Sequence, residues 1–171
     1  PILGVALGTI MTLVVQSSSA TIAVLQNFAA QPGPDGVTSV MGLAGAIPIL
    51  LGDNIGTTIT AILASIGQSK NAKRTAIAHS IFNITGSVVF LCVLPFFARF
   101  VQFISPKGNE IDVISRQIAN AHTTFNIVCT LIWLPLIPLM VKIVTTIIRG
   151  TEKQRDDGPV SVLESGVIAQ P

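Results

Sequence analysis

The chain has 171 residues, of which 50% are hydrophobic and 11% charged, with a formal net charge of +2 and a mean hydropathy of +0.72. Soluble domains carry about a quarter charged residues, and a chain this short has no room to bury several wholly apolar helices, so the composition argues against a soluble globular domain. The near-neutral charge and the lack of basic clusters interleaved with aromatics argue against nucleic acid as a partner.

The charge deficit is uneven. Residues 1–34, 75–98 and 117–141 contain no Lys, Arg, Asp or Glu. As helices, the last two runs would each reach about 36 Å, against a hydrocarbon core of about 30 Å. The expected fold class is therefore all-α: a polytopic transmembrane helical protein. The two cysteines, Cys92 and Cys129, lie inside the expected spans without metal-ligand spacing and read as small apolar fillers. The chain begins at Pro1 with no initiator Met and no basic leader, so it reads as an excerpt rather than a secreted precursor.

Residues 1–15 are apolar and rich in Gly and Thr, and end in the polar cluster Gln16-Ser17-Ser18-Ser19. Residues 20–29 are apolar again. Ten helical residues cover about 15 Å, half a membrane. Residues 1–30 therefore read as a re-entrant helical hairpin with Gln16–Ser19 at its tip; the plainer alternative is one helix interrupted by serines. The loop Gln31-Pro32-Gly33-Pro34-Asp35-Gly36 then returns the chain to water.

Residues 37–67 are long enough to span only if the two apolar halves around Gly52-Asp53-Asn54-Ile55-Gly56-Thr57-Thr58 are counted together. The glycines, Pro48 and a mid-span carboxylate point to a discontinuous helix, unwound at this cluster. Such backbone is tolerated at membrane depth only where protein or a water-filled cavity covers it. A basic turn with Lys70, Lys73 and Arg74 precedes the first full span, residues 74–98. A polar loop around Pro106 leads to an interfacial helix near 111–119, and the second full span covers 117–148. Residues 149–171 read as a polar tail or linker.

Two spans separate the basic turn from the tail, so both lie on one side. That side holds Lys70, Lys73, Arg74, Lys142, Arg149, Lys153 and Arg155, against Arg99, Lys107 and Arg116 on the other. The positive-inside rule places the tail in the cytoplasm.

One internal repeat stands out. Ala78-His79-Ser80-Ile81-Phe82-Asn83 and Ala121-His122-Thr123-Thr124-Phe125-Asn126 share the pattern A-H-x-x-F-N. His and Asn four apart lie on one helix face. The two helices are expected to pack together there through Ala and hydrogen-bonded Asn. A proton-coupling role for either histidine is the functional alternative, so His79, Asn83, His122 and Asn126 are secondary polar candidates. No carboxylate accompanies the histidines at metal-ligand spacing.

The chemistry is expected from two polar clusters at membrane depth: Gln16, Ser17, Ser18, Ser19 and Thr21, and Asp53, Asn54, Thr57, Thr58 and Thr60. A mid-bilayer Asp costs about 2.5–3.5 kcal/mol, which calls for a compensating cation, proton or wet site. Hydroxyls, amides, a carboxylate and freed carbonyls are hard oxygen ligands and suit Na⁺, expected near Ser18, Ser19, Asp53, Asn54 and Thr57. Half-helix N-termini with Ser and Thr hydroxyls suit a small oxyanion. Alternatively, such hydroxyls only bond back to the preceding turn.

The motifs Gln16-Ser17-Ser18-Ser19-Ala20-Thr21 and Gly52-Asp53-Asn54-Ile55-Gly56-Thr57-Thr58-Ile59-Thr60-Ala61, in this order, resemble those of the type II sodium–phosphate cotransporter family. The A-H-x-x-F-N stretch of residues 76–83 is similar to the segment that follows in bacterial members. The resemblance covers roughly residues 5–148. The family carries each motif twice, in two inverted repeats, so the chain resembles the second repeat, one half of an inverted-repeat transporter fold. The resemblance implies sodium-dependent symport of inorganic phosphate across the plasma (inner) membrane by alternating access. It implies contacts to phosphate and sodium at Gln16, Ser17, Ser18, Ser19, Asn54, Thr57 and Thr58, with Asp53 at a variable position. The implied partners are phosphate, Na⁺, the bilayer and an N-terminal repeat absent from this chain. The oligomeric state is left open. No cofactor is expected beyond Na⁺ as coupling ion.

Three alternatives stay in view: a channel or regulatory membrane subunit, a carrier of another oxyanion such as sulfate or arsenate, and a membrane-embedded enzyme using His79 or His122 with Asp53. The absence of a nucleophile elbow, of H-E-x-x-H and of paired carboxylates argues against the enzyme.

Overall fold

The computed structural model describes residues 1–151. Seven α-helices form among them: α1 (Ile2–Val15), α2 (Ser18–Ala29), α3 (Gly42–Ala64), α4 (Lys70–Cys92), α5 (Leu94–Ile104), α6 (Glu110–Trp133) and α7 (Ile137–Ile147). Three helical stretches are long and apolar enough to cross a membrane: Gly42–Ala64, Lys70–Cys92 and Glu110–Ile147. The protein is an all-α, polytopic membrane protein. In the third stretch α6 passes through a 3₁₀ turn, Leu134–Leu136, into α7. Pro135 and Pro138 sit there, and each removes a backbone donor that a regular α-helix would use.

The chain reverses between α1 and α2 in two residues. Gln16 takes a left-handed conformation (φ 55°) and its N–H closes α1 on the Thr12 carbonyl at 2.7 Å. Ser17 is extended, and its Oγ accepts the Ala20 N–H at 3.3 Å, which caps α2. Helices of 14 and 12 residues reach only about 21 and 18 Å, short of a bilayer. The hairpin expected from the sequence therefore forms, with its tip at Gln16–Ser17.

α1 lies against α3 almost backbone to backbone. A Cβ on Gly8 would run into the Ile49 carbonyl, one on Gly52 into the Val5 carbonyl, and one on Gly56 would stand 2.8 Å from Thr12 Cβ. Gly4 and Gly8 on one helix, with Gly52 and Gly56 on the other, are each spaced by four. This is how small residues let membrane helices approach closely. Gly4 meets Pro48, Gly8 meets Ile49 and Asp53, and Gly56 meets Thr9 and Thr12, so the two helices run parallel. Thr9 Oγ1 adds an interhelical bond to the Gly52 carbonyl at 3.0 Å.

This packing corrects the expectation of a discontinuous helix over 37–67. α3 is continuous from Gly42 to Ala64, with Pro48 inside it. Gly52 and Gly56 are not helix breakers here; they are the surface on which α1 sits. Every residue from 46 to 54 is buried, which makes α3 the central helix.

The remaining spans also differ from the expected bounds. The span expected over 74–98 is α4, which ends at Cys92, followed by the separate short helix α5. α5 buries Phe97, Ala98 and Val101 and exposes Phe96, Phe100 and Phe103. The interfacial helix expected near 111–119 is the first part of α6, whose Val113, Ile114, Gln117 and Ile118 are buried. That segment is held at its start. Glu110 Oε2 accepts the Ser39 N–H at 2.8 Å, and Ser115 and Gln26 exchange bonds between α6 and α2.

The loop between α2 and α3 is closed by Asp35, whose Oδ1 accepts the N–H groups of Val37 and Thr38 and the Thr38 hydroxyl. Bonds from Thr38 and Val37 hold this exposed carboxyl below its ordinary range. At the opposite end, Arg74 reaches the Ile148 and Gly150 carbonyls at 2.9 and 2.6 Å and caps the end of α7. The basic turn and the chain's exit from α7 therefore share one end, as the two spans between them require. The tail from residue 152 onward lies outside the described residues.

Candidate functional site

A cavity of about 620 Å³ opens between the hairpin turn, α3, α4 and the α6–α7 wall. Ser18 enters it from the first turn of α2, Asn54 and Thr57 from α3, Thr75, His79 and Asn83 from α4, and His122 and Asn126 from α6. Phe82, Trp133, Ile137 and Met140 supply its apolar lining. Residues from both polar clusters and both A-H-x-x-F-N motifs thus meet in one space.

Beside the cavity, Asp53 is fully buried. Its Oδ1 accepts the Thr12 hydroxyl at 2.6 Å, while Oδ2 has no partner among the described residues. The next residue, Asn54, is 5% exposed, and its Nδ2 is also buried without a partner. An orphaned acceptor and an orphaned donor on adjacent residues each cost about 1–3 kcal/mol. Two consecutive residues of α3 therefore carry one unpaired atom suited to a cation and one suited to an anion. Among the described residues no group of three or more His, Cys, Asp or Glu could hold a metal ion. This excludes neither Na⁺ nor any ion held by hydroxyls and amides.

The other expected residues divide clearly. Gln16, Ser17 and Ser19 are exposed at the hairpin tip. Thr21 is buried, donates to the Ser17 carbonyl at 3.1 Å and lies 3.5 Å from Thr12 Oγ1. Thr57, Thr58 and Thr60 each donate back to a carbonyl of their own helix, at Asp53, Ile55 and Thr57. Thr57 still lines the cavity, but Thr58 does not. Because α3 does not unwind, no carbonyls are freed at its centre. The free backbone donors of this region are the N–H groups of Ser18 and Ser19, since that of Ala20 goes to Ser17 Oγ.

The expected Asn-mediated pairing of α4 with α6 is corrected as well. Asn83 donates to the His79 carbonyl at 3.1 Å and Asn126 to the His122 carbonyl at 2.9 Å, each within its own helix. α4 and α6 meet instead where Gly86 abuts Phe125 and Cys129, and where the Phe90 and Phe125 rings pack tilted at 52° with centroids 5.3 Å apart.

Thr12 was missed as a site residue. It sits in a Gly- and Thr-rich run with no local mark. The available signal is symmetry: Thr12 and Thr21 are equidistant from the Gln16–Ser17 turn, so a hairpin read at that turn pairs them.

The profile of the Na⁺/Pi-cotransporter family matches residues 1–129. An uncharacterised Bacillus subtilis protein, YqeW, is 36% identical over 100 residues, covering 58% of this chain and 30% of its own length. The human sodium-dependent phosphate transport protein 2B is 34% identical over 111 residues, covering 63% of this chain and 15% of its own. The sheep sodium-dependent phosphate transport protein 2A is 38% identical over 87 residues, covering 48% and 12%. The chain thus spans a third or less of the length of these curated relatives. No solved structure matches.

Proposed function

Because this chain belongs to the Na⁺/Pi-cotransporter family, we propose that it is one half of a sodium-coupled phosphate symporter, with both solutes docking beside the hairpin turn. The observation that carries this reading is that two consecutive residues each bury an orphaned atom, Asp53 Oδ2 and Asn54 Nδ2. Na⁺ is read as docking near Asp53, with oxygen ligands from Ser18, Ser19, Asn54 and Thr57. Ser19 does not line the cavity, so it would join only on rearrangement. Phosphate is read as taking the Asn54 amide, the Ser18 hydroxyl and the N–H groups at the start of α2, where the helix dipole favours an anion. Gln16, Ser17, Thr21 and Thr58 shape the turn and its packing in this reading.

Opposite charges held close together away from water attract, so each bound ion is expected to raise the affinity for the other, which is a physical basis for coupling. In this reading a second, inverted repeat outside this chain closes the site from the other side, and alternating access moves both ions. The protein lies in the plasma membrane with the Lys70–Arg74 end and the tail in the cytoplasm. No bond is made or broken, so it is not an enzyme.

The test uses the full-length protein in liposomes with labelled phosphate. Uptake is expected only under an inward Na⁺ gradient, and Ser18→Ala or Asn54→Ala is expected to raise the apparent KM for phosphate or sodium. Uptake indifferent to the gradient would end the coupling claim, and a gradient-free conductance would point to a channel.

A further inference from the structure

The repeated motif is left unused by the site at the hairpin turn, yet it forms the facing wall of the same cavity. Both asparagines donate Nδ2 to the carbonyl of the histidine four residues earlier. Only the amide nitrogen can donate to a carbonyl, so this bond fixes the orientation of each amide and leaves each Oδ1 as an acceptor. The imidazoles of His79 and His122 are half-buried, line the cavity and make no side-chain hydrogen bond among the described residues. A neutral imidazole offers one donor and one acceptor. The wall therefore presents two N–H donors and several acceptors into a cavity that otherwise faces it with Ser18, Asn54 and Thr57.

Size supports a second position. Allowing each oxygen of a tetrahedral oxyanion the share of a water molecule, about 30 Å³, gives an occupant of about 120 Å³. The cavity is several times larger, at about 620 Å³. An oxyanion at the hairpin turn alone would leave room in it for a second occupant, for water or for the other repeat.

We propose that His79, Asn83, His122 and Asn126 form a second oxyanion position in the cavity, one that binds protonated tetrahedral oxyanions and rejects fully ionised ones. The donors take up anionic oxygens. The acceptors need an O–H, which hydrogen phosphate and hydrogen arsenate carry at neutral pH and sulfate lacks. A site built to bond a substrate hydroxyl discriminates against an analogue without it, because the acceptors that the occupant covers are then left unpaired. This inference rests on the reading of the chain as an oxyanion carrier and names what that carrier selects.

Two measurements test it, both on the full-length protein. In liposomes under an inward Na⁺ gradient, the wild type is expected to lose labelled-phosphate uptake to excess arsenate and not to excess sulfate. The His79→Leu/His122→Leu pair is expected to raise the phosphate KM about tenfold and to let sulfate compete, with the sodium KM unchanged. His→Gln variants, which keep a donor and an acceptor, are expected to restore part of the loss. Unchanged phosphate KM and unchanged sulfate rejection in the Leu pair would overturn the proposal.

The second measurement needs no variant. Diethyl pyrocarbonate labelling of His79 and His122, followed by mass spectrometry, is expected to slow with phosphate and not with sulfate. Equal labelling with and without phosphate, or equal protection by sulfate, contradicts the proposal. If the wild type itself takes up no phosphate with Na⁺, the transport reading fails; if it does and the histidines are indifferent, only this inference fails.

Discussion

The two walls of the cavity are built differently. On the hairpin side, α1 lies on α3 through glycines so close that no Cβ fits at Gly8 or Gly52, and most of α3 is buried. On the opposite side, α6–α7 is buried in its first turns, but from residue 130 to 147 only Val144 is. It touches α4 through a few side chains: Gly86 on Phe125 and Cys129, Phe90 on Phe125, and the Trp133 indole N–H on Thr85 at 3.3 Å. Close packing fixes Asp53 and Asn54 in place, whereas sparse packing opens at lower cost. The first wall is a platform, and the second is a surface that faces lipid, ligand or another part of the protein.

The sharpest way to break this contrast is to add volume on the platform. Gly52→Val drives side-chain atoms into the Val5 backbone, which cannot step aside, and is expected to cost about 3 kcal/mol or more. A Cβ at Gly45 meets only Met41 Cβ at 3.5 Å, so Gly45→Ala is expected to be neutral or to gain up to about 1 kcal/mol through helix propensity. Thermal unfolding of the detergent-solubilised full-length protein compares the two. Similar melting temperatures would remove the platform.

A smaller effect is expected where the platform holds its charge. Thr12→Val removes the hydroxyl at Asp53 Oδ1 and leaves both carboxyl oxygens unpaired, at an expected cost of about 1–3 kcal/mol. Thr12→Ser keeps the bond and should lose much less. Equal losses in the two would show that the methyl group, not the hydrogen bond, matters at this position.

Outside the platform, Arg74→Ala strips the cap from Ile148 and Gly150. It is expected to cost about 1 kcal/mol and to increase amide exchange at the end of α7 while leaving α1–α3 unchanged. Exchange rising in both regions would mean that the two walls are not independent.

The smallest effect concerns the loop before α3. Asp35 titrates below its ordinary value of 3.8 because Thr38 and Val37 bond its ionised form. A depressed carboxyl contributes order above the unfolded value and loses it as pH falls through the folded one. Acid-stable protease should therefore cut residues 31–40 faster only below that value. In Asp35→Ala cutting should be fast at every pH. No pH dependence in the wild type would remove Asp35 as the clasp.

Much of the fold could be read from local chemistry. The polar cluster Gln16–Ser19 between two half-length apolar runs marked the hairpin turn, and Pro and Gly marked the loop at 31–36. Two charge-free runs marked the spans of α4 and α6–α7, and the number of spans between Arg74 and Gly150 matched their shared end. The continuity of α3 was not legible, because Gly52 and Gly56 look the same in a sequence whether they break a helix or seat a neighbour; only the presence of α1 decides. Helix boundaries near residues 92 and 110 were shifted because apolar composition does not register the turn at Val93 or the Glu110–Ser39 contact. Of the site, Ser18, Asn54 and Thr57 were found in the cavity. Thr58 and Thr60 follow the back-bonding pattern common to hydroxyls in membrane helices. Thr12 depends on a pairing across two helices that no local motif encodes.

The central claim, that Na⁺ and phosphate dock together at the hairpin turn, is tested most directly by the reactivity of Ser18→Cys. In the full-length protein with Cys92 and Cys129 replaced by Ser, the rate at which a water-soluble thiol reagent modifies position 18 is measured with Na⁺ alone, phosphate alone and both. The account predicts that the rate falls only when both are present. A rate unaffected by either solute, or a position 18 that never reacts, would contradict it.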